Sequence, residues 1–221
     1  MANQITKNVN NSEKYISEVI SRIKKEIPPG KFKHRDPYHV LISTILSQRA
    51  KDENTAIAAK QLFDLYETPE SLSTGDLDKI QELIKPAGLY QAKAKNIQNV
   101  ARILVEEYKS KVPKDINEMV KLPGVGRKTA NCVLVYGFNE PAIPVDTHVH
   151  RISNRLGWVK TKTPEQTETA LAEFLPKKYW IEINELMVRH GQGKCRPVNP
   201  KCGLCSLNKI CKFGITKLGT G

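Results

Sequence analysis

Four of the five cysteines, Cys195, Cys202, Cys205 and Cys211, fall in one C-x6-C-x2-C-x5-C run near the end of the chain. No other feature constrains the fold so tightly. Thiolates that share a soft metal must approach one another, so this run has to close into a compact loop. A zinc cage of four cysteines and an iron–sulfur cluster both satisfy the residue chemistry, and the spacing leaves both open. The fifth cysteine, Cys132, stands alone in a helical pattern and reads as a small buried residue. Lys194, Arg196, Lys201, Lys209 and Lys212 crowd the loop. They would offset thiolate charge and could meet phosphates.

A second constraint is the stretch Lys121-Leu122-Pro123-Gly124-Val125-Gly126-Arg127-Lys128-Thr129-Ala130. Ile116, Met119 and Val120 precede it at helical spacing, and Ala130, Val133 and Leu134 follow it. Pro123 stops the first helix, and two glycines around one apolar residue allow a tight turn. A turn that feeds a helix N-terminus presents backbone N–H groups in one direction, which suits a phosphate oxygen and ignores base sequence. By itself the turn could equally be an ordinary corner between helices. A third stretch, Val145-Asp146-Thr147-His148-Val149-His150-Arg151, opens a helix with Asp146 as N-cap, a common task for aspartate.

The rest of the chain reads as helices separated by proline and glycine. Tyr15, Ile16, Val19, Ile20 and Ile23 mark an amphipathic helix after a tail to about Ser12, and Pro28-Pro29-Gly30 ends it. Asp36-Pro37 starts a second, with Tyr38, Leu41, Ile42, Ile45 and Leu46 inward. A third runs from Asp52 to Leu65 with Ala56, Ala59, Leu62 and Phe63 inward, and Thr68-Pro69 begins a short one. Asp76 to Ile84, Ala92 to Tyr108, Thr147 to Arg155, Thr163 to Phe174 and Tyr179 to His190 follow, the last closed by Gly191 and Gly193. Thr163-Pro164-Glu165-Gln166 has the form of a capping box. No strand alternation and no fixed repeat is found, so the expected class is all-α.

Composition adds a partner class. Lys and Arg number 35 against 23 Asp and Glu, a net charge of +12, which points to a polyanion unless it is a lysine-rich solvated surface. The start of the chain has no apolar run and no stretch reaches membrane-spanning length, so no secretory signal and no membrane partner are expected. The expected setting is cytoplasmic, with cysteines as thiols or ligands.

Together these motifs resemble the endonuclease III family of helix–hairpin–helix DNA glycosylases, across residues 13 to 213. Leu122 to Ala130 resembles its hairpin, and Gly124, Val125, Gly126 and Arg127 would then contact DNA backbone. The cysteine spacing resembles the family's [4Fe–4S] loop at all four positions, which favours the cluster over zinc. Val145 to Arg151 resembles its catalytic aspartate motif, with His150 where an aromatic is usual and His148 among the DNA-contacting residues. Leu46-Ser47-Gln48-Arg49-Ala50-Lys51-Asp52 resembles the loop that fills the space left by an extruded base, through Gln48 or Arg49. Gly88-Leu89-Tyr90-Gln91-Ala92-Lys93-Ala94 resembles a second probing loop in which Leu89 is the wedge.

The resemblance implies two helical domains with a DNA cleft between them. Residues 30–140 would form a helical barrel with the hairpin, and residues 1–29 with 141–221 an iron–sulfur domain. It implies a monomeric, prokaryote-like enzyme acting on double-stranded DNA with damaged bases or abasic sites. Such an enzyme extrudes the nucleotide, because a base inside a duplex cannot be reached. Asp146 would stabilise the cationic sugar of the transition state. Lys128 would attack C1′ and form a Schiff base that drives strand cleavage by β-elimination. The positive helix end and burial beside Arg127 would favour its neutral, nucleophilic form. Two other readings stay open: a relative that only releases mismatched bases, which would lack the lysine, and a binding module without activity, which would leave Lys128 and Asp146 unexplained.

Overall fold

The computed structural model describes residues 2–27 and 35–219, with side chains described from residue 13 onward. The described residues contain helices, turns and bends and no strand. The chain divides into two compact units, one of Met1–Phe32 with Ile143–Gly221 and one of Lys33–Ala142. The break expected at Pro28-Pro29-Gly30 lies outside the described residues.

The unit of Lys33–Ala142 holds α2 (Pro37–Ser47), α3 (Asp52–Leu65), α4 (Pro69–Ser73), α5 (Leu77–Ile84), α6 (Tyr90–Tyr108), α7 (Ile116–Met119) and α8 (Arg127–Tyr136). Helix starts are fixed locally. Asp36 accepts bonds from Tyr38 N (2.9 Å) and His39 N (3.2 Å), and Asp76 accepts one from Lys79 N (2.8 Å). Thr68 and Ser71 exchange the two bonds of a capping box. The faces then interlock into one core: Leu41, Ile42, Ile45 and Leu46 of α2 meet Ile97, Val100 and Leu104 of α6 and Ala130 and Val133 of α8. The fully buried leucines and isoleucines among these cost about 2–5 kcal/mol each when cut back to alanine. On α3 the inward face departs from expectation. Ala58 is buried and Ala56 exposed, because the helix meets its neighbours along the row through Ala58 and Leu62.

The other unit holds α1 (Ala2–Glu26), α9 (Thr147–Leu156), α10 (Pro164–Phe174), α11 (Trp180–Gly193) and α12 (Lys212–Gly219). Helix α1 begins at Ala2 rather than after Ser12, since no proline or glycine interrupts Ala2 to Glu26. Its inner face, Ile16, Val19, Ile20 and Ile23, packs with Val149, Ile152, Ile183 and Met187. The expected capping box at Thr163 is only half formed. Thr163 accepts from Gln166 N (3.3 Å), but the Gln166 side chain returns to Lys162 N (2.9 Å), one residue earlier. Gly191 and Gly193 lie inside α11 rather than beyond its end. A side chain at Gly191 would overlap the His148 imidazole, so this glycine is there for close approach. Helix α12, after the last cysteine, carries no sequence signal strong enough to predict it.

Candidate functional site

The hairpin in the first unit is built as a tight turn between α7 and α8. Leu122 and Val125 are buried, and Val125 N donates to Leu122 O at 3.1 Å. Gly124 has φ +75°, the left-handed region that favours glycine, and a side chain there would strike Asn96 of α6. Gly126 differs from expectation: its φ is an ordinary −97° and the space beside it is open. It serves as the N-cap of α8, which no side chain caps. Arg127 and Lys128 form the first turn and are both exposed. Lys128 therefore does not have the burial expected of it, because the buried face of α8 runs instead through Thr129, Ala130, Cys132 and Val133.

Two further segments of this unit carry candidate residues. Arg49 follows the end of α2 at φ 54°, and Leu89 precedes α6 at φ 49°. Both are left-handed without being glycine, a conformation that costs of order 1–3 kcal/mol each. Leu89 is 61% exposed, an unusual position for a leucine at a helix start. Gln48 and Arg49 are exposed as well, but only Gln48 is engaged: its Nε2 donates to Gly124 O at 2.8 Å. The glutamine ties this segment to the hairpin, and the arginine does not share that bond.

In the second unit Asp146 caps α9. One carboxylate oxygen accepts from His148 N at 2.9 Å and Val149 N at 2.8 Å, which fixes the half-buried side chain. Asn184 of α11 donates to Pro144 O at 2.8 Å and holds the approach to this cap. Along α9, Arg151 reaches His148 Nδ1 (3.1 Å) and Cys195 O (2.9 Å). Burial lowers the Arg151 pKa, partly opposed by Cys195. Arg155 donates to Cys195 Sγ (3.3 Å), Arg196 O (2.7 Å) and Pro197 O (3.0 Å), and its guanidinium stacks over Phe213. Arg151 enters the sequence reading only as the last residue of the aspartate motif, and Arg155 only as a helix end. Their spacing of four on the helix that Asp146 opens is the signal that could have found them.

All four clustered cysteines line one hollow, together with Ile152, Leu156 and Leu207. Burial pushes the Cys205 thiol up to about 11 and raises that of Cys211. The loop is anchored from far along the chain. Tyr15 donates to Ile210 O (2.9 Å), Arg22 to Ser206 O (2.8 Å), and Glu26 accepts from Ser206 N (2.8 Å). His190, 2% exposed, lies between Glu26 and Cys205, with Nε2 3.8 Å from the sulfur. Burial lowers its pKa, opposed by the Glu26 carboxylate. Among the described residues no three of His, Cys, Asp and Glu converge as they would on a single ion. Cys132 is buried in the other unit, away from this loop in the chain.

Residues 42–177 match the HhH-GPD superfamily of base excision DNA repair proteins. The endonuclease III of Thermotoga maritima is 52% identical over 198 residues, which covers 90% of this chain and 92% of that protein. The structure of a trapped endonuclease III–DNA covalent intermediate matches with a TM-score of 0.84 at 35% identity, over 93% of this chain and 98% of that one. A thermostable thymine-DNA glycosylase matches with a TM-score of 0.81 at 25% identity, over 94% and 98% of the two chains.

Proposed function

Because the chain belongs to the HhH-GPD superfamily, and within it to the endonuclease III family of base excision repair glycosylases, we propose that it removes oxidised pyrimidines from duplex DNA and cleaves the abasic strand through Lys128. The observation that carries this reading is the presence of two residue types in the stretches that resemble the family's motifs. One is an exposed primary amine in the first turn after the hairpin. The other is a carboxylate fixed as the cap of α9.

The division of labour follows from the chemistry. The hairpin of Gly124, Val125, Gly126 and Arg127 grips a phosphate through backbone amides, so it holds any sequence. Gln48 or Arg49, Leu89 and His148 contact the duplex around the extruded nucleotide. Of the first two, Arg49 is the better candidate for the vacated space, since Gln48 is bonded to the hairpin. Asp146 stabilises positive charge on the sugar as the base leaves with its bonding electron pair. The Lys128 amine bonds to C1′, the sugar ring opens to an imine, and loss of a C2′ proton expels the 3′ phosphate. Hydrolysis of the imine frees the lysine.

The discontinuous unit, proposed as residues 1–29 and 141–221, is the iron–sulfur domain, and residues 30–140 the helical barrel. The endonuclease III family is known to bind a [4Fe–4S] cluster. Four thiols that line one hollow are the soft ligands such a cluster needs. Cys195, Cys202, Cys205 and Cys211 would hold it. When bound, it would fix the loop that Arg155 and Arg151 attach to α9. The protein would act as a monomer where cellular DNA is found in a prokaryote-like cytoplasm. No helix among the described residues is long and apolar enough to cross a membrane.

Borohydride trapping on a duplex with one abasic site, run beside a base-release assay on an oxidised pyrimidine, tests the reading. A covalent adduct at Lys128 together with base release supports it. Base release without an adduct assigns the chain to the enzymes that only release bases, and neither activity leaves a binding module.

A further inference from the structure

Among the described residues of the first unit, Lys93 is the one buried lysine, at 4% exposure. No carboxylate pairs with it among the described residues. Its Nζ instead donates to two backbone carbonyls, Leu46 O at 2.8 Å and Ala87 O at 2.9 Å. An ammonium taken out of water without a counter-ion is a costly way to fill space that a methionine would fill. What it gains is specific to these two carbonyls.

Both belong to places where a helix gives way to a left-handed residue. The helical partner of Leu46 O would be Ala50 N, but the chain turns at Arg49 and Ala50 N donates to Ser47 O at 3.1 Å. Ala87 ends a single 3-10 turn, and Gly88 (φ 65°) and Leu89 (φ 49°) carry the chain away from it. Each turn strands a carbonyl in the interior, and such groups need a donor. One lysine supplies both. Its own backbone N–H bonds to Leu89 O at 3.1 Å, and one turn on, Asn96 lies against Gly124 of the hairpin. The first two turns of α6 thus brace three segments that sequence separates.

We propose that Lys93 is a positioning residue for the two segments that probe the duplex: by capping the α2 end and the 3-10 turn with one side chain, it holds Arg49 and Leu89 in register so that they enter the DNA together. The proposal rests on the reading of those segments given above. Burial keeps the Lys93 pKa below the ordinary lysine value, consistent with an ammonium held by carbonyls alone. A lysine that merely satisfied two carbonyls would support stability and nothing else.

The test uses the whole chain and a duplex with a tetrahydrofuran abasic analogue opposite 2-aminopurine, whose fluorescence rises when it is unstacked. Wild type should bind with a clear gain. Lys93→Met should bind with similar affinity but a much smaller gain, and Lys93→Gln, which keeps two amide donors, should fall between. Adding Lys93→Met to Leu89→Ala should reduce the gain no further, because both remove the same act. On a second duplex that carries an oxidised pyrimidine, base release in a single turnover should drop by about tenfold to a hundredfold, the scale of small misplacements. An unchanged gain in Lys93→Met overturns the proposal. So does a loss that adds to Leu89→Ala and tracks the fall in melting temperature. If Lys93→Met does not fold, Lys93→Gln against wild type, with and without Leu89→Ala, decides by the same criteria. A wild-type borohydride adduct on a natural abasic site, without any fluorescence gain on the analogue, refutes this proposal and leaves the lyase reading standing, whereas a normal, Lys93-dependent gain on the analogue without an adduct on the natural abasic site refutes the lyase reading and supports this one.

Discussion

The two units carry their candidate residues in opposite ways. In the unit of Lys33–Ala142, the hairpin lends only Leu122 and Val125 to the core, while Arg49, Leu89, Arg127 and Lys128 are exposed on turns and first turns. In the other unit the cysteine loop is part of the packing. Cys195, Cys205 and Cys211 lie against the same core as Ile16, Ile152 and Met187, and Tyr15, Arg22 and Glu26 bond to the loop backbone. The difference teaches where function and stability should separate. Exposed residues on turns can be changed without touching the core, whereas a loop that completes a core cannot lose its ligands without loosening it.

The largest expected effect tests the first half of that contrast. Lys128→Gln should abolish the borohydride adduct and most strand cleavage while leaving the melting curve and abasic-DNA binding unchanged, since the side chain is exposed and the hairpin grips by backbone. Mass spectrometry of the trapped wild type should find the adduct at Lys128; an adduct elsewhere sinks the assignment.

Cys202→Ala tests the second half. The variant should lose its metal and become protease-sensitive around residues 190–212, while the helices of the first unit keep their protection in hydrogen exchange. Cys132→Ala, in the other unit, should keep a full complement of about four irons per chain. Equal iron loss in both variants would show that the contrast is false.

Asp146→Asn comes next. Asparagine caps helices as well as aspartate does, so the exchange removes charge and spares structure. Base release should fall about 10²-fold or more, with stability unchanged and DNA affinity equal or higher. Asp36→Asn is the matched control, because Asp36 caps α2 with the same pair of bonds; it should leave both activity and melting alone.

The smallest expected effect separates the two hairpin glycines. Gly124→Ala meets a positive φ and the Asn96 side chain, so it should weaken binding to all duplexes alike and cost about 1 kcal/mol or more. Gly126→Ala meets ordinary backbone and open space and should be nearly silent. Isothermal titration with undamaged and abasic duplexes, over a salt series, measures both. A loss confined to damaged DNA would make the hairpin a lesion reader.

What could be read from sequence was what acts over three or four residues. Asp36, Thr68, Asp76 and Asp146 announce helix starts because a cap bonds to amides two or three positions on. Helical periodicity gave the inner faces of α1, α2 and α6 for the same reason. The cysteine run and the hairpin stood out because their chemistry is confined to short spacings. Tertiary structure decided the rest, since those contacts span long stretches of chain. Tyr15 meets Ile210 across 195 positions, Gln48 meets Gly124 across 76, and Lys93 meets Leu46 across 47. Lys128 was expected to be buried and is exposed, because the rotation of α8 is set by which face α2 covers, and local pattern does not record that. Gly191 read as a helix end and proved to be room for His148, a demand made by a helix more than thirty residues away. Local free energy fixes where elements begin; which side chain is covered, and which carbonyl is left needing a donor, depends on what packs against it.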